Sequence, residues 1–115
     1  MKTREITING ATYPVQFTFQ TILNFESLTG ISFFEAPLST LKNRIAMIFS
    51  AVITADEETN LTVEKIVGNQ NWESIKEIVA AHNVILELSA DFLKIPEIEK
   101  TANMNESKDE GKEKN

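Results

Sequence analysis

The sequence predicts an α+β fold: an N-terminal β-hairpin packed against a small bundle of about four helices, with a disordered polar tail behind them. Three observations carry that reading. Alternating polar and apolar residues flank Asn9-Gly10, later stretches repeat their apolar residues at three and four, and the apolar content collapses near residue 99. The expected division is a hairpin-plus-helices domain over 1–98 and a polar tail over 99–115.

The hairpin comes first. Asn-Gly is the strongest short hairpin signal, because a type I′ turn needs φ > 0 at both central residues. With Asn9-Gly10 as a two-residue loop, Ile8 faces Ala11, Ile6 faces Tyr13 and Arg4 faces Val15. Ile6, Ile8, Ala11, Tyr13, Val15 and Phe17 then share one face, and Glu5, Thr7, Thr12, Pro14 and Gln16 share the other. A slip of one residue destroys this agreement. The register also accommodates Pro14. Bonded and non-bonded pairs alternate from Ile8/Ala11, so Glu5/Pro14 is non-bonded and the missing N–H of Pro14 points away from the first strand. The second strand is therefore blocked against a further strand, whereas the outer edge of the first, at Glu5 and Thr7, is not.

Four helices follow. Thr18 caps the first, Phe19 to Thr29, with Gly30 just past its end and Ile22, Leu23, Phe25 and Leu28 as its stripe. Residues Ile31 to Ala36 read as a helical turn or loop. Ser39 is expected to cap the second helix, ending near Ala55, with Leu41, Ile45, Ile48, Phe49 and Val52 on one face. Lys42 and Arg44 lie near its start, where the helix dipole disfavours cations. Thr62 caps a short helix, Val63 to Val67, stopped by Gly68. The last runs from about Asn71 to Leu93, with Trp72, Ile75, Val79, His82 and Leu86 in its stripe, Ile78, Ile85 and Phe92 widening it to a helix buried on more than one side, and Pro96 as its stop. Beyond Lys100 the only apolar residue larger than alanine is Met104, too little to offset the entropy of ordering.

Composition narrows the function. The 115 residues carry 17 acidic against 11 basic side chains, a net charge of −6. Such a chain repels a phosphate backbone, so no nucleic-acid partner is expected. No run is long and apolar enough for a membrane span, and the start lacks the apolar core of a signal peptide. There is no cysteine and a single histidine, His82, which sits on a buried stripe and reads as a core residue with a hydrogen-bond partner. The glycines form no phosphate-binding pattern. Asp56-x-Glu58-x-Asn60 is faintly like a calcium loop, but Leu61 and Val67 occupy its glycine and bidentate-glutamate positions. Glu73 and Glu77 are expected beside Lys76 on a solvated face. No cofactor, metal or catalytic residue is expected, and the chain reads as a non-enzyme. The candidate partner-binding residues are Phe33 and Phe34, which one helical turn cannot easily bury together, and Glu5 and Thr7 at the open strand edge.

The opening Ile6-Thr7-Ile8-Asn9-Gly10, with Tyr13, Val15 and Phe17-Thr18-Phe19, is followed by a helix closing in Leu28-Thr29-Gly30-Ile31-Ser32. An apolar helix comes next, then Asp56-Glu57-Glu58-Thr59-Asn60-Leu61-Thr62-Val63-Glu64-Lys65-Ile66. Together these resemble the tail assembly chaperones of long-tailed bacteriophages and prophages, over about residues 4–95. The resemblance implies a small helper in the cytosol of the bacterial host that binds the tape-measure and tail tube proteins. It would keep them soluble until the tube polymerises, and it would have no enzymatic activity. Many such proteins are also made as a longer, frameshifted product. The alternative is a structural phage tail or head–tail connector subunit.

Overall fold

In a computed structural model the chain is described over residues 2–68 and 71–94. The expected tail, and the stop at Pro96, lie outside these residues. The order is β1 (Arg4–Ile8), β2 (Ala11–Val15), α1 (Phe19–Thr29), a 3₁₀ turn (Phe33–Glu35), α2 (Leu41–Ala55), α3 (Val63–Val67) and α4 (Trp72–Leu93). This is the hairpin on about four helices that the sequence predicts.

The antiparallel register is Arg4↔Val15, Glu5↔Pro14, Ile6↔Tyr13, Thr7↔Thr12 and Ile8↔Ala11, and both turn residues have positive φ, 52° at Asn9 and 80° at Gly10. Ile6, Ile8, Val15 and Phe17 are buried, Tyr13 is half-buried and Ala11 at the turn is exposed. β2 stops two residues earlier than the alternation predicts. The Gln16 N–H instead donates to Ala51 O of α2 at 3.3 Å, which turns Phe17 away from the ladder and into the core.

The helix ends follow their caps. Thr18 Oγ1 accepts from Gln20 N while Thr21 Oγ1 accepts from Thr18 N, a reciprocal box that starts α1. Gly30 adopts φ 74° and its N–H closes α1 on Glu26 O at 2.8 Å. α2 is capped by Thr40, not Ser39: Thr40 Oγ1 accepts from Asn43 N at 3.3 Å. Asn43, buried beneath this turn, donates from Nδ2 to Pro37 O. Thr62 and Asn71 cap α3 and α4. α4 ends at Lys94, which takes φ 48° and donates its N–H to Ala90 O.

α2 is the central element, touching α1, α3, α4 and β2. Its small residues Ala46, Ser50 and Ala51 are buried along with Met47, Ile48 and Val52, whereas Leu41 is exposed and Ile45 and Phe49 are half-buried. Burial on α4 takes in Ile78, His82 and Ile85 of the expected wide stripe and extends to smaller residues beside them. It runs through Ser74, Ile78, Ala81, His82, Ile85, Leu88 and Ser89. Ile75, Val79 and Leu86 flank that line half-buried, and Trp72 is 67% exposed. On α1, Ile22 and Phe25 are buried but Leu23 and Leu28 are not.

Candidate functional site

The four residues singled out from the sequence lie in two places. Glu5 and Thr7 are exposed on β1. They sit opposite Pro14 and Thr12, in the non-bonded pairs, so their backbone N–H and C=O groups point to the outer edge. α4 runs antiparallel beside β1 and is tied to it by charge. The Asn9 N–H donates to Glu77 Oε1 at 2.8 Å, Arg4 Nη1 meets Glu87 Oε1 at 2.8 Å, and Lys2 Nζ lies 3.2 Å from Asp91 Oδ2. The spans match: fourteen helical residues rise about 21 Å, and seven extended residues about 23 Å. The open edge is thus bordered by carboxylates of α4. The other edge is closed, by Pro14 and then by the bond from Gln16 to α2.

Phe33 and Phe34 divide. Phe33 is buried at 7% exposure and Phe34 is 68% exposed. The position of Phe33 is fixed by its N–H, which donates to Glu26 Oε2 at 2.8 Å. Its ring packs on Phe17, Phe25 and Phe34 at centroid distances of 5.7, 5.9 and 5.1 Å. Phe33 is therefore core, and only Phe34 offers its ring to the outside.

Sequence reasoning missed the extent of this feature. Phe17 also meets Phe92 at 5.9 Å, and Phe92 meets Phe19 edge-on at 5.2 Å. Six of the seven phenylalanines form one connected, branched series; of its three terminal rings Phe25 is buried, and Phe19 and Phe34 are each about two-thirds exposed. Leu23, one turn after Phe19, is 57% exposed. A cleft of about 270 Å³ opens beside the series, lined by Lys2, Phe17, Leu88, Asp91, Phe92 and Lys94. The available signal was the spacing Phe19, Leu23: an i, i+4 apolar pair offset from the buried Ile22 and Phe25.

The remaining candidates carry no assembled chemistry. His82 is buried, but the hydrogen bond expected of it is not made: Nε2 has no partner among the described residues, and neither does the buried Nε of Arg44. Burial first, and the neighbouring Arg44 charge second, lower the His82 pKa from 6.5 to about 4. Glu73 pairs with Lys76 at 3.7 Å, whereas Glu77 turns away to the hairpin. Asp56 Oδ1 accepts from Glu58 N and shapes an exposed turn. No three metal-ligating side chains gather among the described residues, and no helix there is long and apolar enough to cross a membrane.

The chain matches no family model, no curated protein and no solved structure.

Proposed function

We propose that this chain is a non-enzymatic, protein-binding helper of the bacterial cytosol, a phage or prophage tail assembly chaperone that holds tape-measure or tail tube protein soluble before polymerisation. The observation that carries the reading is the aromatic series. Its outer rings, Phe34 and Phe19, pack edge-on against the buried Phe33 and the half-buried Phe92, so exposed apolar surface is backed by neighbouring rings. Aromatic anchors backed by packed neighbours are what binding hot spots consist of. The open β1 edge adds main-chain donors and acceptors for strand addition. The likeness of residues 6–32 and 56–66 to the chaperone family supplies the identity of the clients.

The test is co-expression with a tail tube or tape-measure protein encoded beside it. The wild type keeps its client in the soluble fraction. Phe34→Ser and Phe19→Ser, both at exposed positions, reduce that rescue while leaving the circular dichroism spectrum unchanged. If both variants fold and rescue fully, the aromatic ends are not the anchor. If the wild type binds neither client but is found as a ring in finished particles, the chain is a structural tail or connector subunit instead.

A further inference from the structure

We propose that the groove between α1, α2 and α3 is a separate docking site, and that its occupant is an amphipathic helix of a partner protein with a carboxylate set within its apolar face. The proposal rests on the reading that the chain binds another protein, and it names the chemistry of the bound segment. The groove encloses about 380 Å³ and is lined by Leu28, Thr29, Lys42, Ile45, Ala46 and Val63. Ile45 and Ala46 form its floor, three and four residues on from Lys42 and so on one face of α2. Leu28 of α1 and Val63 of α3 form the walls, and Leu28 keeps 46% of its surface exposed. Channels of this shape between helices receive the apolar stripe of another helix.

Charge then selects among helices. Lys42 supplies the only charge in the lining, and its ammonium makes no ion pair or hydrogen bond among the described residues. The first turn of α2 holds no acid, and a positive side chain there is opposed by the helix dipole. A carboxylate arriving with the partner would satisfy it, and a basic group would be repelled. A second copy of this chain is the competing occupant, since its exposed Trp72 lies beside Glu73 on α4; shifts at Leu28, Ile45 and Val63 that depend on protein concentration without any peptide would mark it and overturn the proposal.

Titrating the isotopically labelled full chain with three synthetic helical peptides tests this. Each is about four turns long, with leucines at i, i+3, i+4 and i+7, and they differ only in carrying Glu, Gln or Lys among those leucines. The Glu peptide should shift the methyl resonances of Leu28, Ile45 and Val63 and bind about two- to fivefold more tightly than the Gln peptide, with the Lys peptide weakest. Lys42→Glu should reverse that order, and Leu28→Ser should weaken all three peptides without moving the thermal unfolding midpoint. The proposal is overturned if no peptide shifts these resonances, if the shifts centre on Phe19 and Phe34, or if Lys42→Glu leaves the order unchanged. Loss of client rescue in co-expression would instead strike at the chaperone reading, since the peptides do not depend on the client's identity.

Discussion

Acidifying the solution from pH 7 to pH 5 protonates His82 in the unfolded chain but not in the folded one. The imidazole is buried at 2% exposure, Nε2 has no hydrogen-bond partner among the described residues, and the Arg44 charge stands nearby. Its pKa therefore falls from 6.5 to about 4. The lowered value belongs to the native state, so the unfolded state binds more protons between these pH values and stability rises with pH there. The contribution of His82 is complete above pH 6.5 and is lost as the pH falls toward 4. Integrating the linkage from pH 7 to 5 gives a loss of about 2 kcal/mol. Urea unfolding followed by circular dichroism reads this as a midpoint lower by about 1–2 M at the m-values usual for small domains. Most carboxylates titrate below this window, and His82 is the chain's only histidine, so the slope is assigned cleanly. His82→Gln should flatten it. A variant with the wild-type slope, or an imidazole titrating near 6.5 by NMR in the folded protein, would refute the assignment.

Three further perturbations are expected to separate neighbouring residues. Gly10 has φ 80°, so Gly10→Val should lower stability by about 1–3 kcal/mol, while Thr12→Val on the exposed face stays nearly silent; equal effects in chemical denaturation would rule out the turn as described. Phe33→Ala should lose about 3–5 kcal/mol as a core truncation, against less than about 0.5 kcal/mol for Phe34→Ala at a 68% exposed position; similar unfolding midpoints for the two would contradict the division of the pair. A Cβ on Gly68 would lie 2.7 Å from the Asn9 side chain, whose Nδ2 donates to Lys65 O, and φ there is 64°. Gly68→Ala should therefore cost about 1–3 kcal/mol and speed amide hydrogen exchange at the hairpin turn; unchanged exchange would mean that the turn does not lock onto α3.

The hairpin register and most element ends were legible in the residues, because the interactions that set them lie within a few positions of one another. Asn9-Gly10 dictates the sign of φ in the turn. Thr18, Thr62 and Asn71 satisfy free N–H groups two or three residues ahead, and Gly30 closes α1 through a bond spanning four residues. Adjacent hydroxyls defeat this logic: Ser39 and Thr40 are equally suitable caps, and the Pro37 contacts behind Thr40 and Asn43 decide between them. The candidate site was half legible. The open edge at Glu5 and Thr7 follows from register alone, but nothing in Phe33-Phe34 says which ring turns inward until Glu26 is seen holding the Phe33 N–H.

Sequence alone therefore determined the α+β class, the hairpin pairing and the approximate helices, all products of local backbone chemistry and apolar periodicity. Tertiary structure decided which helical faces are buried. Small residues share those faces, Ala46, Ser50 and Ala51 on α2 and Ser74, Ala81 and Ser89 on α4, beside the buried Met47, Ile48, Val52, Ile78, Ile85 and Leu88, and the side chains at a helix contact set how closely the axes approach. It also decided the contacts between residues distant in the chain. Glu77 reaches Asn9 across a separation of 68, and Phe92 joins Phe17 to Phe19. Such pairings depend on how whole helices stack, a property of packed volume that no window of neighbouring residues contains.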